Sequence, residues 1–135
     1  MTHVLDASVI VKWFAESWND EGTVHEATSL LRSLQSDEIE VIQPPHWKAE
    51  VVSVLARRQP DGVTEALLLM DGLDIECVDN WEVYLRAAKM SVELNHHLFD
   101  TLYHAVALEH GAEFITADKQ YFNKARSLGS ITLLG

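Results

Sequence analysis

The sequence predicts an α/β fold, a three-layer α/β/α sandwich around a central parallel sheet of about five strands. Short apolar runs typical of buried strands alternate with longer segments whose apolar residues recur every three or four positions. Strands separated by helices form parallel βαβ units with helices on both faces of the sheet. The length of 135 residues and the hydrophobic fraction of 47% suit one compact core. We therefore expect a single domain over residues 1–135.

Five segments have the length and composition of strands. The first, in THVLDAS, ends at Asp6, and the second, EIEVIQ, is ended by two prolines, which cannot continue a central strand. The predicted strands span residues 2–6, 38–43, 74–78, 113–116 and 131–134.

The segments between the strands have helical periodicity. In residues 21–35, for example, the apolar positions follow a three-to-four spacing. Pro45 is expected to open a helix, since proline is favoured at the first helical position, and Gly111 to close one. The predicted helices span residues 8–15, 21–35, 45–58, 63–72, 81–94, 98–109 and 118–127.

Composition argues against several classes of protein. No run approaches the ~20 apolar residues that span a bilayer, and the start MTHVLDAS lacks the basic leader of a secretory signal. The lone cysteine, Cys77, excludes an internal disulfide and is expected to be a buried structural thiol. We expect a cytoplasmic protein without a membrane segment. The net charge of −11 also argues against a broad surface for nucleic acid, which is usually basic.

Four acidic residues are candidates for a metal site: Asp6, Glu50, Asp100 and Asp118. Asp6 and Asp118 directly follow predicted strands, so they fall at one edge of the sheet, where ligands bind in such folds. Taken singly, each has a simpler role: an N-cap for these two, a helix-dipole contact for Asp100 and a solvated helix face for Glu50. Carboxylates that converge repel one another unless a cation lies between them, so together they predict a divalent-metal site. Spacing alone does not bring Glu50 and Asp100 to that edge.

Four segments carry a resemblance to a known family: VLDASVIVKWF, PPHWKAEVVSVLARR, FDTLYHAVALEHGAEFITAD and KQYFNKA. In this order they resemble the PIN-domain proteins, specifically the VapC-type toxin ribonucleases of bacterial toxin–antitoxin pairs. The family pattern is a strand-end Asp followed by a hydroxyl residue, a helical Glu, an Asp opening a later helix, and T-x-D after a strand. It maps onto Asp6 with Ser8, Glu50, Asp100, and Thr116 with Asp118. Ser53 stands where many relatives have Asn.

The resemblance implies a PIN-like fold and a hydrolase that cleaves RNA phosphodiester bonds endonucleolytically. The four acids would be catalytic and would bind Mg²⁺, with Mn²⁺ as a substitute; one or two ions are compatible with them. Hydroxyl groups of Ser8, Ser53 and Thr116 would support the acids. The resemblance also implies a homodimer and a small antitoxin partner, which a net charge of −11 suits. Possible RNA contacts are Lys48, Lys119 and Lys124.

Other functions use similar residues. His97, Asp100 and His104 fall near one helix face and are typical of a zinc hydrolase, although surface imidazoles explain them and no HExxH motif is present. A haloacid-dehalogenase-type phosphatase needs a second Asp two residues after the first, where this chain has Ser8. The main alternative is a non-catalytic PIN-like binding module that acts with a DNA-binding antitoxin, although all four acidic positions are filled.

Overall fold

The computed structural model describes residues 1–14 and 21–135, including the side chains of the second range from residue 23 onward. Within these ranges a five-stranded sheet has only parallel pairings and is flanked by helices, so the predicted α/β/α class is confirmed. The strands are β1 (Thr2–Leu5), β2 (Glu40–Gln43), β3 (Glu76–Cys77), β4 (Glu113–Thr116) and β5 (Ile131–Leu133). The helices are α1 (Ala7–Ile10), α2 (Glu21–Gln35), α3 (Trp47–Arg58), α4 (Val63–Gly72), α5 (Trp81–Leu94), α6 (Leu98–His110) and α7 (Lys119–Ala125).

Some element boundaries differ from the predicted ones. Pro45 does not open α3, because residues 45–46 form a turn closed by the Trp47 amide and the Pro44 carbonyl (3.3 Å). The first predicted helix is α-helical only to Ile10 and continues as a 3₁₀ segment, Val11–Phe14. Its predicted end at residue 15 lies outside the described residues. The last predicted helix likewise finishes as a 3₁₀ segment, Arg126–Leu128, after α7.

The strand order β3-β2-β1-β4-β5 places β1 at the centre of the sheet. His3 of β1 pairs with Glu113 of β4, and Leu5 pairs with Ile115. The carboxyl ends of β1 and β4 therefore lie side by side, although they are far apart in the sequence. From β1, the chain adds β2 and β3 on one side of the sheet and β4 and β5 on the other. In parallel sheets, ligand sites form beyond the carboxyl ends of the strands at the point where the strand order reverses in this way.

Helix α6 is the central helix of the core. Seven consecutive residues, from Thr101 to Ala107, are buried, and the helix contacts β1, β2 and β4. A helix that is buried on all sides has no strong apolar stripe, so this stretch is mostly apolar, with Thr101 and His104 as buried polar residues. Its first turn carries Asp100 to the edge where β1 ends.

The side chain of Gln43, at the end of β2, continues the pairing of β1 beyond the backbone ladder. Its Nε2 donates to the carbonyl of Leu5 at 2.8 Å, and its Oε1 accepts from the Leu5 amide, also at 2.8 Å. Gln43 is completely buried. Since Pro44 turns the chain away from the sheet, the glutamine amide satisfies the backbone of Leu5, the residue that precedes Asp6.

We expect Gln43→Ala to lower the free energy of unfolding by about 2–6 kcal/mol, because it leaves a buried amide and a buried carbonyl unpaired, at roughly 1–3 kcal/mol each. Urea denaturation measures the change. Gln35→Ala, at an exposed position at the end of α2, is the matched control and is expected to stay within about 0.5 kcal/mol of the natural protein. Equal unfolding midpoints for the two variants would contradict the role assigned to Gln43.

Cys77 is exposed, so the prediction of a buried thiol is wrong. The apolar residues around it suggested burial, but β3 has two residues and lies at the edge of the sheet, where both are exposed. Across the described ranges, no helix combines the length and the apolar character needed to cross a bilayer.

Candidate metal centre

Hydroxyl groups join the ends of β1 and β4 around Asp6. The Oδ2 atom of Asp6 accepts hydrogen bonds from Ser8 Oγ (2.5 Å) and Thr116 Oγ1 (3.0 Å). In turn, Ser8 Oγ accepts from the Ala117 amide, and Thr116 Oγ1 accepts from the Asp118 amide (3.0 and 3.1 Å). Ser8 and Thr116 thus fix both the Asp6 carboxylate and the chain leading to Asp118.

The two strand-end aspartates differ in their local roles. Asp118 caps α7, since its Oδ1 accepts from the Tyr121 amide at 3.2 Å. Asp6 precedes α1 but makes no capping bond with its side chain. The simple N-cap interpretation is therefore correct for Asp118 and wrong for Asp6, whose carboxylate is directed to the two hydroxyl groups instead.

The electrostatic environment of Asp6 disfavours its charged form. Loss of water around the carboxylate raises its pKa most, and the bonds from Ser8 and Thr116 partly oppose this. The negative charges of Asp100 and Glu50 raise it further, and together these effects move the pKa from 3.8 to about 6. Three of the predicted acids thus act on one another directly.

Glu50 reaches the site from α3, and one of its oxygens is unsatisfied. The Oε1 atom is buried and has no hydrogen-bond partner among the described residues. His46 Nε2 lies 3.0 Å from this oxygen, but it is also 2.8 Å from the carbonyl of Phe99. Since a carbonyl can only accept, the Nε2 proton points to Phe99, which ties α3 to the first turn of α6. A buried carboxylate oxygen without a well-formed hydrogen bond is costly, and a ligand would lower that cost.

Tyr103 places a hydroxyl group next to these acids. Its side chain is completely buried, and its hydroxyl lies close enough to Glu50 for an interaction that contributes to the Tyr103 pKa shift, although it makes no well-formed hydrogen bond with a described residue. Burial raises the pKa of Tyr103 above its usual value of 10.0, and the negative charge of Glu50 raises it further. Tyr103 therefore stays protonated and presents a permanent O–H donor beside Glu50.

Asp100 and Asp118 meet in an open pocket of about 600 Å³. Ligand atoms of His96, Asp100 and Asp118 lie within 4.8 Å of one another, a spacing that can hold a metal ion. Burial raises the pKa of Asp100, and the negative charges of Glu50 and Asp118 add to the shift, while a hydrogen bond from His96 opposes it. The pocket is lined by Ser91, Asn95, His96, His97, Asp100, Asp118, Gln120 and Lys124.

The family model described as the PIN domain matches residues 3–127. This chain belongs to the PIN domain family. PIN domains are generally metal-dependent nucleases, and the acidic cluster provides a candidate place for a metal ion. The chain has no match among curated proteins.

In this PIN domain, only some of the hydroxyl residues expected to support the acids, and of the lysines expected to contact RNA, lie close to the acids. Ser8 and Thr116 contact Asp6, whereas Ser53 is exposed on α3. Lys48 forms a salt bridge of 2.7 Å with Asp71 of α4, and Lys124 contacts the α5–α6 connection. Lys119, next to Asp118, is exposed.

The alternative zinc trio of His97, Asp100 and His104 is not formed in this PIN domain. His104 is completely buried, so the expectation of a surface imidazole is also wrong for it. Its Nε2 lies 2.8 Å from the carbonyl of Gly129 and its Nδ1 lies 2.9 Å from the hydroxyl of Tyr121. Both ring nitrogens are therefore engaged within the core and are directed to α7 and to the turn before β5.

Three residues near the acids escaped sequence reasoning: Gln43, His96 and Tyr103. The spacing of His96 and Asp100 by four residues was available as a signal, but His97 has a more obvious position as the residue that precedes α6. Tyr103 lies within an apolar stretch and resembles an ordinary core residue. Nothing in the local sequence distinguishes Gln43 from a solvated strand-end residue, because its partner is Leu5.

Proposed function

We propose that this PIN domain, residues 1–135, is a metal-dependent endoribonuclease, the VapC-type toxin of a toxin–antitoxin pair. The main supporting observation is the convergence of charge at the end of β1. Burial raises the pKa of Asp6 to about 6, and the negative charges of Asp100 and Glu50 add to the shift, so the ionised carboxylate would be stabilised by a cation. Asp118 continues the cluster on the side of Asp100.

The residues at this site fit a hard divalent cation. The proposed ligands Asp6, Glu50, Asp100 and Asp118 supply only oxygen atoms, the donors that Mg²⁺ prefers and Mn²⁺ accepts. The buried Oε1 of Glu50, which makes no well-formed hydrogen bond with the described residues, is the kind of atom that an ion would satisfy. The donor set is compatible with one ion or two.

The chain itself positions these carboxylates. Ser8 and Thr116 orient Asp6 through Oδ2, and the Tyr121 amide orients Asp118. Tyr103 keeps a neutral donor beside Glu50, and exposed Ser53 lies one turn further along the same helix. The chemistry supplied by a bound divalent ion is activation of a water molecule and compensation of the charge that develops on the phosphate oxygens.

RNA binding in this proposal depends on a few local cations rather than on a basic surface. Lys119 is exposed directly beside Asp118, and Lys124 lines the same pocket as Asp118. Lys48 is a weaker candidate, because it is paired with Asp71. We further propose a homodimer, in which these lysines of two subunits line one groove, and a cytoplasmic protein with a small basic antitoxin as partner, which the net charge of −11 would attract.

The test is cleavage of total RNA by the purified protein with Mg²⁺, Mn²⁺, Zn²⁺ or EDTA, with the cleavage sites mapped. We expect cleavage with Mg²⁺ or Mn²⁺ and none with Zn²⁺ alone or with EDTA. Cleavage in EDTA would contradict a metal-dependent enzyme. Absence of cleavage by the partner-free protein under all conditions, when that protein can still bind an antitoxin-type partner, would favour the non-catalytic binding module.

A charge reversal at Lys119 tests the proposed RNA contact in a separate binding measurement. Lys119→Glu is expected to weaken RNA binding and to reduce its dependence on salt by about one counterion. Lys89→Glu makes the same change at an exposed position that lines a different pocket. If the two variants have the same salt dependence as the natural protein, Lys119 does not contact RNA.

A further inference from the structure

A chain of hydrogen bonds leads from α7 to the acidic site through His96. The Nζ atom of Lys124 lies 3.2 Å from His96 Nδ1 and 3.3 Å from the carbonyl of Asn95. On the other side of the ring, His96 Nε2 lies 2.8 Å from Asp100 Oδ2. The imidazole therefore bridges a cation and a carboxylate.

The position of the His96 ring is well determined by its neighbours. The His96 amide donates to the Ser91 carbonyl at 3.1 Å, and Ser91 Oγ donates to the His96 carbonyl at 2.5 Å. The ring packs edge-on against Tyr121 with centroids 5.0 Å apart. Only 8% of the His96 side chain is exposed, against 33% for Asp100. The imidazole is thus held in place, while the carboxylate faces the pocket.

The contact with Lys124 determines which nitrogen of His96 carries the proton. An ammonium group can only donate, so Nδ1 must accept from Lys124. A neutral imidazole has one acceptor and one donor nitrogen, so the proton lies on Nε2. The Nε2–H group then donates to Asp100 Oδ2, which agrees with their separation of 2.8 Å.

The position of this proton decides between two roles for His96 in its cluster with Asp100 and Asp118: metal ligand or hydrogen-bond donor. As a metal ligand, Nε2 would need a lone pair directed at the ion, and the proton would move to Nδ1, where it would face the ammonium of Lys124. As a donor, Nε2–H holds one oxygen of Asp100 and leaves the other for an ion. Donors of this kind orient ligands in many metal sites.

We infer that His96, fixed by Lys124, is a positioning residue that orients Asp100 in the metal site and is not itself a ligand. This inference rests on the proposed function, because it assumes that Asp100 binds an ion. It assigns positioning roles at the site to His96 and Lys124, which the four-acid pattern does not contain.

Binding of Mn²⁺ to the metal-free protein, measured by calorimetry, tests the inference. His96→Asn shortens the side chain so that it no longer reaches Asp100, and we expect the Kd to rise about 10–100-fold. His96→Gln keeps an N–H at the place of Nε2, and its Kd is expected to stay within about threefold of the natural value. His110→Asn, at an exposed position at the end of α6, is the control and should change nothing.

Lys124 is tested through its coupling to His96, because removing its charge alone also changes the field at the ion. In a Lys124→Met background, His96→Asn is expected to weaken Mn²⁺ binding by only about threefold or less, since the tautomer is no longer fixed. An undiminished effect of His96→Asn in that background would remove Lys124 from the inference.

A spectroscopic readout distinguishes the two roles without any variant. In the natural protein, pulsed electron paramagnetic resonance of bound Mn²⁺ is expected to show no coupling to an imidazole nitrogen. A nitrogen coupling, or an equal loss of affinity in His96→Gln and His96→Asn, would overturn the inference. The inference would also be overturned if a folded His96→Asn variant bound Mn²⁺ with the same Kd as the natural protein. A natural protein that binds no Mn²⁺ at all would overturn the proposed function as well.

Discussion

Replacing Asp6 or Asp100 with Asn is expected to reduce RNA cleavage by at least about a hundredfold. Asn keeps the size of the side chain but removes the charge and one oxygen acceptor that an ion requires. Changes in groups that only orient metal ligands already cost 10–100-fold, so loss of a ligand should cost no less. Initial rates with saturating Mg²⁺ on a fixed RNA measure the effect.

Control variants separate loss of chemistry from loss of structure. Asp79→Asn makes the same change at an exposed position and is expected to cleave RNA at the natural rate. Asp6→Asn should also remain folded, because it removes a charge that the folded protein disfavours. Full activity in both Asp6→Asn and Asp100→Asn would refute the assigned site.

The metal-free protein is expected to lose stability as the pH rises from about 4 to about 6. The pKa of Asp6 is higher in the folded protein, about 6, than its ordinary value of 3.8. Between these values the folded state binds more protons than the unfolded state, so stability falls with increasing pH. A shift of this size corresponds to about 3 kcal/mol at 1.36 kcal/mol per pKa unit. Asp100, whose pKa is also raised, acts in the same direction.

Urea denaturation at pH 4, 5, 6 and 7, in EDTA, measures this loss for the natural protein and for Asp6→Asn. As the pH rises, the unfolding free energy of the natural protein should fall relative to that of Asp6→Asn. Addition of Mn²⁺ at pH 7 should restore stability to the natural protein, by about 2.7 kcal/mol at a hundredfold excess over the Kd. If the unfolding free energies of the two proteins change with pH in the same way without metal, Asp6 is not in the buried and negatively charged environment described above.

The local sequence predicted the elements well where hydrophobic periodicity is strong. All five strands and the alternation with helices follow from it, whereas the start of α3 and the end of α7 do not. Pro45 lies in a turn because the chain must leave the sheet at Gln43 before a helix can begin. Cys77 lies in an apolar run, yet it is exposed, since burial depends on the place of β3 at the sheet edge.

For the candidate site, the local sequence predicted which residues carry the charge but not their partners. Asp6 and Asp118 both looked like helix caps, and only Asp118 is one. The difference arises because Thr116, 110 residues away, donates to Asp6. His104 looked like a surface residue and is instead bound to Tyr121 and Gly129 inside the core.

By itself, the sequence determined the order of strands and helices and placed two aspartates directly after strands, because these features depend on neighbours within a few residues. Only the tertiary structure decided that β1 and β4 lie side by side, that α3 and α6 bring Glu50 and Asp100 to the same edge, and that Lys124 reaches His96. These contacts join residues distant in the chain, and they form because the helices bury their apolar faces on the sheet. No local pattern records which distant residue completes such a contact.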